Sequence, residues 1–198
     1  MRYEQLLKIE KPFFSHEDVA NVLDIQPESA AVLCSRYVKK GLLTRLKRGL
    51  YARTETLRHM RQEDLFRIAN FLQVPSYISL MTALSYYGIS TQIQRGFFES
   101  ISLKRTRTFD INEQHFSFIK IKPQLYREFV RRENIFIALP EKALLDSFYL
   151  ASMGRYALDI HSLDVEKVDE RALRDLSTIF PPKTIKYFEK QYAKITRS

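Results

Sequence analysis

Hydrophobic and polar positions divide the chain into a block of helical periodicity, a middle block of strand-like alternation and a closing block that is helical again. The first segment, Arg2 to Glu10, puts Leu6, Leu7 and Ile9 on one apolar face, and Pro12 stops it. A second helix opens at a local signal. Ser15 can cap it, Asp18 stands three residues on as a variant of the capping box, and Phe14 with Val19 has the spacing of a hydrophobic staple. Val19, Ala20, Val22 and Leu23 carry that helix to Asp24. After the short turn Asp24-Ile25-Gln26-Pro27, a third helix is predicted from Glu28 to Lys40, with Gly41 as the residue that ends it.

Two helices so close in sequence suggest a helix-turn-helix. In the third, Ala30, Leu33, Cys34, Tyr37 and Val38 follow the i, i+3, i+4, i+7, i+8 pattern of a buried face, and Ser29, Val32, Arg36, Lys39 and Lys40 lie opposite. Small or polar side chains followed by cations suit a helix whose first half enters a major groove while its second half meets phosphate. The segment Leu43 to Lys47 then alternates apolar with polar or cationic residues, Arg48-Gly49 makes a tight turn, and Leu50-Tyr51-Ala52 returns. This order predicts a winged helix-turn-helix with Arg45, Lys47 and Arg48 near the wing tip, within reach of the backbone or a neighbouring minor groove.

Past Arg53 the texture changes through the polar, helix-prone TETLRHMRQED, which places a domain boundary near residue 57: a DNA-binding domain over 1–56 and a second domain over 57–198. Asp64 to Leu72 reads as a helix, and Ser79 as the cap of another, Leu80 to Tyr87, closed by Gly88. FFESISL, RTRTFDI and FSFIKIK read as an antiparallel meander, with a further strand at Ile135 to Ala138. Pro140 opens a helix with Leu144, Leu145, Phe148 and Tyr149 on a wide apolar face, and helices close the chain at Glu170 to Phe180 and Pro182 to Ile195. Segregated helices and strands predict an α+β class, with a small antiparallel or mixed sheet in the second domain.

Charge sharpens this reading. From Arg36 to Arg61 nine Lys or Arg face a single acid, Glu55, so that this segment holds +8 of the chain's net +9. Charge so localised and one-signed is a footprint for a polyanion. A second basic stretch, Leu103 to Thr108, reads either as another nucleic-acid surface or as an edge strand protected by charge. No apolar run approaches the roughly 20 residues that span a bilayer, and Met1-Arg2-Tyr3-Glu4 opens no secretory signal, so a cytoplasmic protein without a membrane role is expected.

Catalytic chemistry finds little to stand on. Cys34 is the sole cysteine and reads as a small buried hydrophobe; His16, His59, His115 and His161 are far apart and form no H-E-x-x-H pair. There is neither a phosphate-binding glycine loop nor a G-x-S-x-G elbow, so no catalytic residue, cofactor or metal is assigned and no enzyme is expected. In IALPEKALLDSFYL, Lys142 and Asp146 can pair at i, i+4, and helix structure by itself accounts for the run.

Three segments together, GLLTRLKRGLYA, PSYISLMTALSYYGI and IALPEKALLDSFYL, resemble the AbiEi antitoxins of type IV toxin-antitoxin systems and their transcriptional-regulator relatives. The matches run in this order over residues 14 to 150, and the Pro140 to Asp146 run is the most specific. The resemblance implies a repressor whose winged domain binds inverted repeats upstream of its own operon, in a phage-defence setting. It also implies a second domain that counters a nucleotidyltransferase toxin without forming a stable complex. The chain lacks the Gly-Ser pair that opens a nucleotidyltransferase motif, so it resembles the antitoxin member. By position, Ser29, Val32 and Arg36 become candidates for base edges, and Lys39, Lys40, Arg45, Lys47, Arg48 and Arg53 for phosphate or the adjacent groove. Two alternatives stay open: a stand-alone regulator whose second domain dimerises or senses a ligand, and an RNA-binding accessory protein or enzyme with a site between Tyr77 and Tyr149.

Overall fold

The computed structural model describes residues 2–92 and 94–195. The described residues separate into two compact units, the first running to residue 68 with 111–113 added, the second comprising the rest.

The first unit opens with α1 (Arg2–Gln5), which tightens into a 3-10 turn over Leu6–Lys8 where the sequence predicts one continuous helix. The tighter turn aligns residues three apart, so Leu6 and Ile9 are buried and Leu7 points outward, 56% exposed, which corrects the expected face. Strand β1 (Phe14–Ser15), unforeseen in the sequence, leads straight into α2 (His16–Leu23). The capping box forms: the Ser15 hydroxyl accepts from the Asp18 N–H at 3.2 Å, and the Asp18 carboxylate accepts from the Ser15 N–H at 2.8 Å. Asp24 ends α2 in the left-handed region. Helix α3 (Pro27–Lys39) starts one residue earlier than predicted, because a proline's missing N–H costs nothing in the first turn.

Strands β2 (Leu43–Lys47) and β3 (Leu50–Arg53) form an antiparallel hairpin, and β1 pairs with the other side of β3. The ladder slips between Arg45 and Lys47, so the strict alternation read from the sequence is broken by a bulge, with Leu46 buried between two cations. Gly49 turns the hairpin at φ +78°, and a side chain there would meet the His16 ring at 3.4 Å. Leu6, Ile9, Phe14, Val19, Ala20, Ala30, Cys34, Leu43 and Tyr51 make one core beneath the helices and sheet. Two helices follow, α4 (Thr54–Arg58) and α5 (Gln62–Leu72).

In the second unit the described strands are β4 (Ser76–Ile78), β5 (Phe97–Ser102), β6 (Arg107–Ile111), β7 (Gln114–Lys120), β8 (Phe129–Arg132) and β9 (Ile135–Ala138). They form one mixed sheet in the order β6-β7-β5-β4-β9-β8. The expected antiparallel meander is therefore wrong in order and direction: β5 pairs with β7 in parallel and with β4 antiparallel, while β6 lies at the edge. Burial explains the exchange. Strand β5 is buried along nearly its whole length and takes an interior place, whereas exposed Arg107 and Asp110 suit β6 to an edge; of the basic stretch Leu103 to Thr108 only Arg107 and Thr108 lie in that edge strand, and the rest precedes it without strand structure. The short strands β4 and β8 have no clear signal in the sequence.

Helix α6 (Leu80–Tyr86) packs on β5 and on α7 (Pro140–Ser152), which is covered in turn by α8 (Glu170–Ser177) and α9 (Pro182–Ile195). The expected cap of α6 is also corrected. The Ser79 hydroxyl turns away and donates to Asp146 Oδ2 at 2.9 Å, and the Glu99 carboxylate accepts from the Met81 N–H at 3.1 Å in its place.

Candidate nucleic-acid interface

Helix α3 is held from below and free above. Ala30 and Cys34 are fully buried, Tyr37 meets Tyr3 edge-on at 5.4 Å, and burial pushes the Cys34 thiol up to about 11, so it packs as an apolar group. The opposite face keeps Ser29, Val32, Arg36 and Lys39 exposed, with Lys40 at the end of the helix. Val32 is 53% exposed, an apolar side chain left in water at the centre of that face.

Two shallow grooves run along this face. One is lined by Ile25, Glu28, Ser29, Val32, Leu33 and Arg36, the other by Ala31, Val32, Ser35, Arg36 and Lys39. The Ser35 hydroxyl donates back to the Ala31 carbonyl at 3.0 Å and so is spent on its own helix. Glu28, which the sequence reading gave only as the start of the helix, lies four residues before Val32 on the same face and lines the same groove as Arg36.

The hairpin supplies a second row of cations. Arg45 and Arg48 are exposed and Lys47 is partly so. Among the described residues, Arg36, Lys39, Lys40, Arg45 and Arg48 have no carboxylate partner, whereas Lys11 pairs with Asp18 at 2.6 Å beside α2. Arg53 differs from the rest. It precedes α4, is partly buried, and its Nε donates to Thr56 Oγ1 at 3.1 Å, so part of its bonding capacity serves the helix start.

Structure thus places all nine predicted residues on α3, its C-terminal end and one hairpin, and gives Arg53, at the end of β3, a local task as well. Such a surface offers cations for phosphate, and a hydroxyl, a branched apolar group and a guanidinium for base edges. No group of three or more His, Cys, Asp or Glu among the described residues is placed to hold a metal ion, and no described helix is long and apolar enough to cross a membrane.

The model of the family described as transcriptional regulator, AbiEi antitoxin, matches residues 1–54. No curated protein matches the sequence significantly. The crystal structure of the RV2827C protein from Mycobacterium tuberculosis is similar in fold, with a TM-score of 0.63 at 14% identity, over 98% of this chain and 75% of that one. The helix-turn-helix and wing over residues 1–54 are therefore similar to those of the AbiEi antitoxin transcriptional regulators, the family that the sequence resembles.

Proposed function

We propose that this chain is a DNA-binding transcriptional repressor that recognises inverted repeats upstream of its own operon and serves as the antitoxin of a type IV pair. One observation carries the DNA reading: five exposed cations without carboxylate partners stand on a recognition helix and its wing, around a face that presents Ser29, Val32 and Arg36. Solvated cations without partners are what a phosphate backbone neutralises, with release of its condensed counterions. In this reading residues 1–56 bind DNA and residues 57–198 carry the regulatory and antitoxin role. The opposing toxin is a nucleotidyltransferase that forms no stable complex with the chain. The match of residues 1–54 to regulators described as antitoxins supports the regulator and antitoxin assignment. Double-stranded DNA is then the macromolecular ligand, the protein acts in the cytoplasm, and it catalyses no reaction.

A salt titration tests the reading. Binding of the full chain to the duplex upstream of its gene is compared with binding to a scrambled duplex of equal length. The upstream duplex is expected to bind roughly 10³-fold or more tightly, with a log–log salt slope that reports several phosphate contacts. Equal, weak binding to both would reduce the helix and wing to a general polyanion anchor and end the repressor assignment.

A further inference from the structure

Three chemically different side chains stand four residues apart along the exposed face of α3: Glu28, Val32 and Arg36. All three are exposed and line one groove. Each step is about 6 Å of helix rise, so the stripe covers about 12 Å, the length of three to four base pairs. Glu28 is the anomaly of the row. Arg36 and Lys39, the other charged groups of α3, are cations, and Glu28 has no cationic partner among the described residues. A carboxylate on a surface built to meet phosphate repels every duplex alike. A contribution to the helix dipole needs an acid in the first turn, but it does not need that acid in line with Val32 and Arg36.

We propose that Glu28 is a specificity-determining residue that accepts a hydrogen bond from the exocyclic amino group of a cytosine in the major groove. Cytosine suits a group that can only accept: guanine presents two acceptors there, thymine a carbonyl and a methyl, and adenine an acceptor beside its amino group. Farther along the groove, Val32 meets a thymine methyl and Arg36 the two acceptors of a guanine. The stripe therefore reads an amino group, a methyl group and an acceptor pair in succession, and the carboxylate rejects the other bases at its own position. This inference rests on the DNA-binding reading above.

The test uses the full-length chain, the upstream duplex, and a panel of that duplex in which each base pair is exchanged in turn. For the wild type, exchange of one C·G pair is expected to cost roughly ten- to a hundred-fold in affinity. In Glu28→Ala that one penalty should disappear while the penalties at the other positions persist, and the scrambled duplex should bind more tightly than it does to the wild type. Alanine is a good helix former, and a thermal melt confirms that the variant is folded. A folded variant with the wild-type penalty at every position overturns the inference and leaves Glu28 a first-turn carboxylate. If the wild type itself fails to prefer the upstream duplex, the DNA reading falls first and the inference with it.

Discussion

At the scale of the residue, position gives similar cations different work. Arg48 stands at the wing turn, where the sheet leaves it exposed, and Arg36 stands in both grooves of α3 beside Val32. Arg48→Ala should therefore weaken binding to the upstream and the scrambled duplex alike and lower the salt slope by about one. Arg36→Ala should weaken both and also narrow the ratio between them, by the roughly 1–3 kcal/mol of a lost bidentate base contact. Unchanged affinity and slope in both variants would take this surface out of DNA binding. The sequence makes most of these residues legible, because the face a residue occupies on a helix follows from its neighbours three and four positions away. Arg53 is less so: its contact with Thr56 depends on a helix start at Thr54 that the polar segment does not announce.

At the scale of the element, α7 carries a buried ion pair whose depth the sequence does not reveal. The i, i+4 pairing of Lys142 with Asp146 forms as the spacing predicts, but the spacing does not say how deeply it is placed: both side chains are fully buried. Lys142 donates to Asp146 Oδ1, while the Tyr77 hydroxyl and the Ser79 hydroxyl donate to Oδ2 at 3.0 and 2.9 Å. Burial pushes the Lys142 ammonium down and the Asp146 carboxyl up, and each partner's charge opposes the other's shift. Such a pair is costly to desolvate but far costlier to break, because one charge is then left buried alone. Asp146→Ala or Lys142→Ala should each destabilise the second unit by about 3–5 kcal/mol, measured by urea unfolding, whereas an apolar replacement of both with similar volume should recover much of the loss. Equal damage from the single and double replacements would show that the charges themselves matter little here. The bonds to Tyr77 and Ser79 close sequence gaps of 69 and 67 residues, beyond the reach of any local pattern.

At the scale of the whole molecule, stability should depend on pH through Glu99. It is buried on β5; burial pushes its carboxyl from the ordinary 4.5 up to about 7, against hydrogen bonds from the Tyr156 hydroxyl and the Met81 N–H. Between those two values the folded chain keeps a proton that the unfolded chain has released. Stability should consequently fall as pH rises from about 4.5 to about 7, by on the order of 3 kcal/mol, and level off above. Glu99→Gln keeps an acceptor for both donors and should flatten that decline in unfolding experiments at pH 5 and pH 7.5. A decline as steep in the variant as in the wild type would remove Glu99 as its source.

The sequence by itself determined the helix-turn-helix, its wing and the charge they carry, together with the α+β class and the family resemblance. Each of the local features rests on interactions a few residues apart: a capping box, a helical face, a two-residue turn, a run of cations. Tertiary structure alone decided the order β6-β7-β5-β4-β9-β8, the burial of Lys142 with Asp146, and the replacement of Ser79 by Glu99 at the start of α6. Alternation specifies which face of a strand is apolar but not which strand lies beside it. A side chain's partner across the sheet, and hence its charge and its task, is fixed only once distant segments have packed.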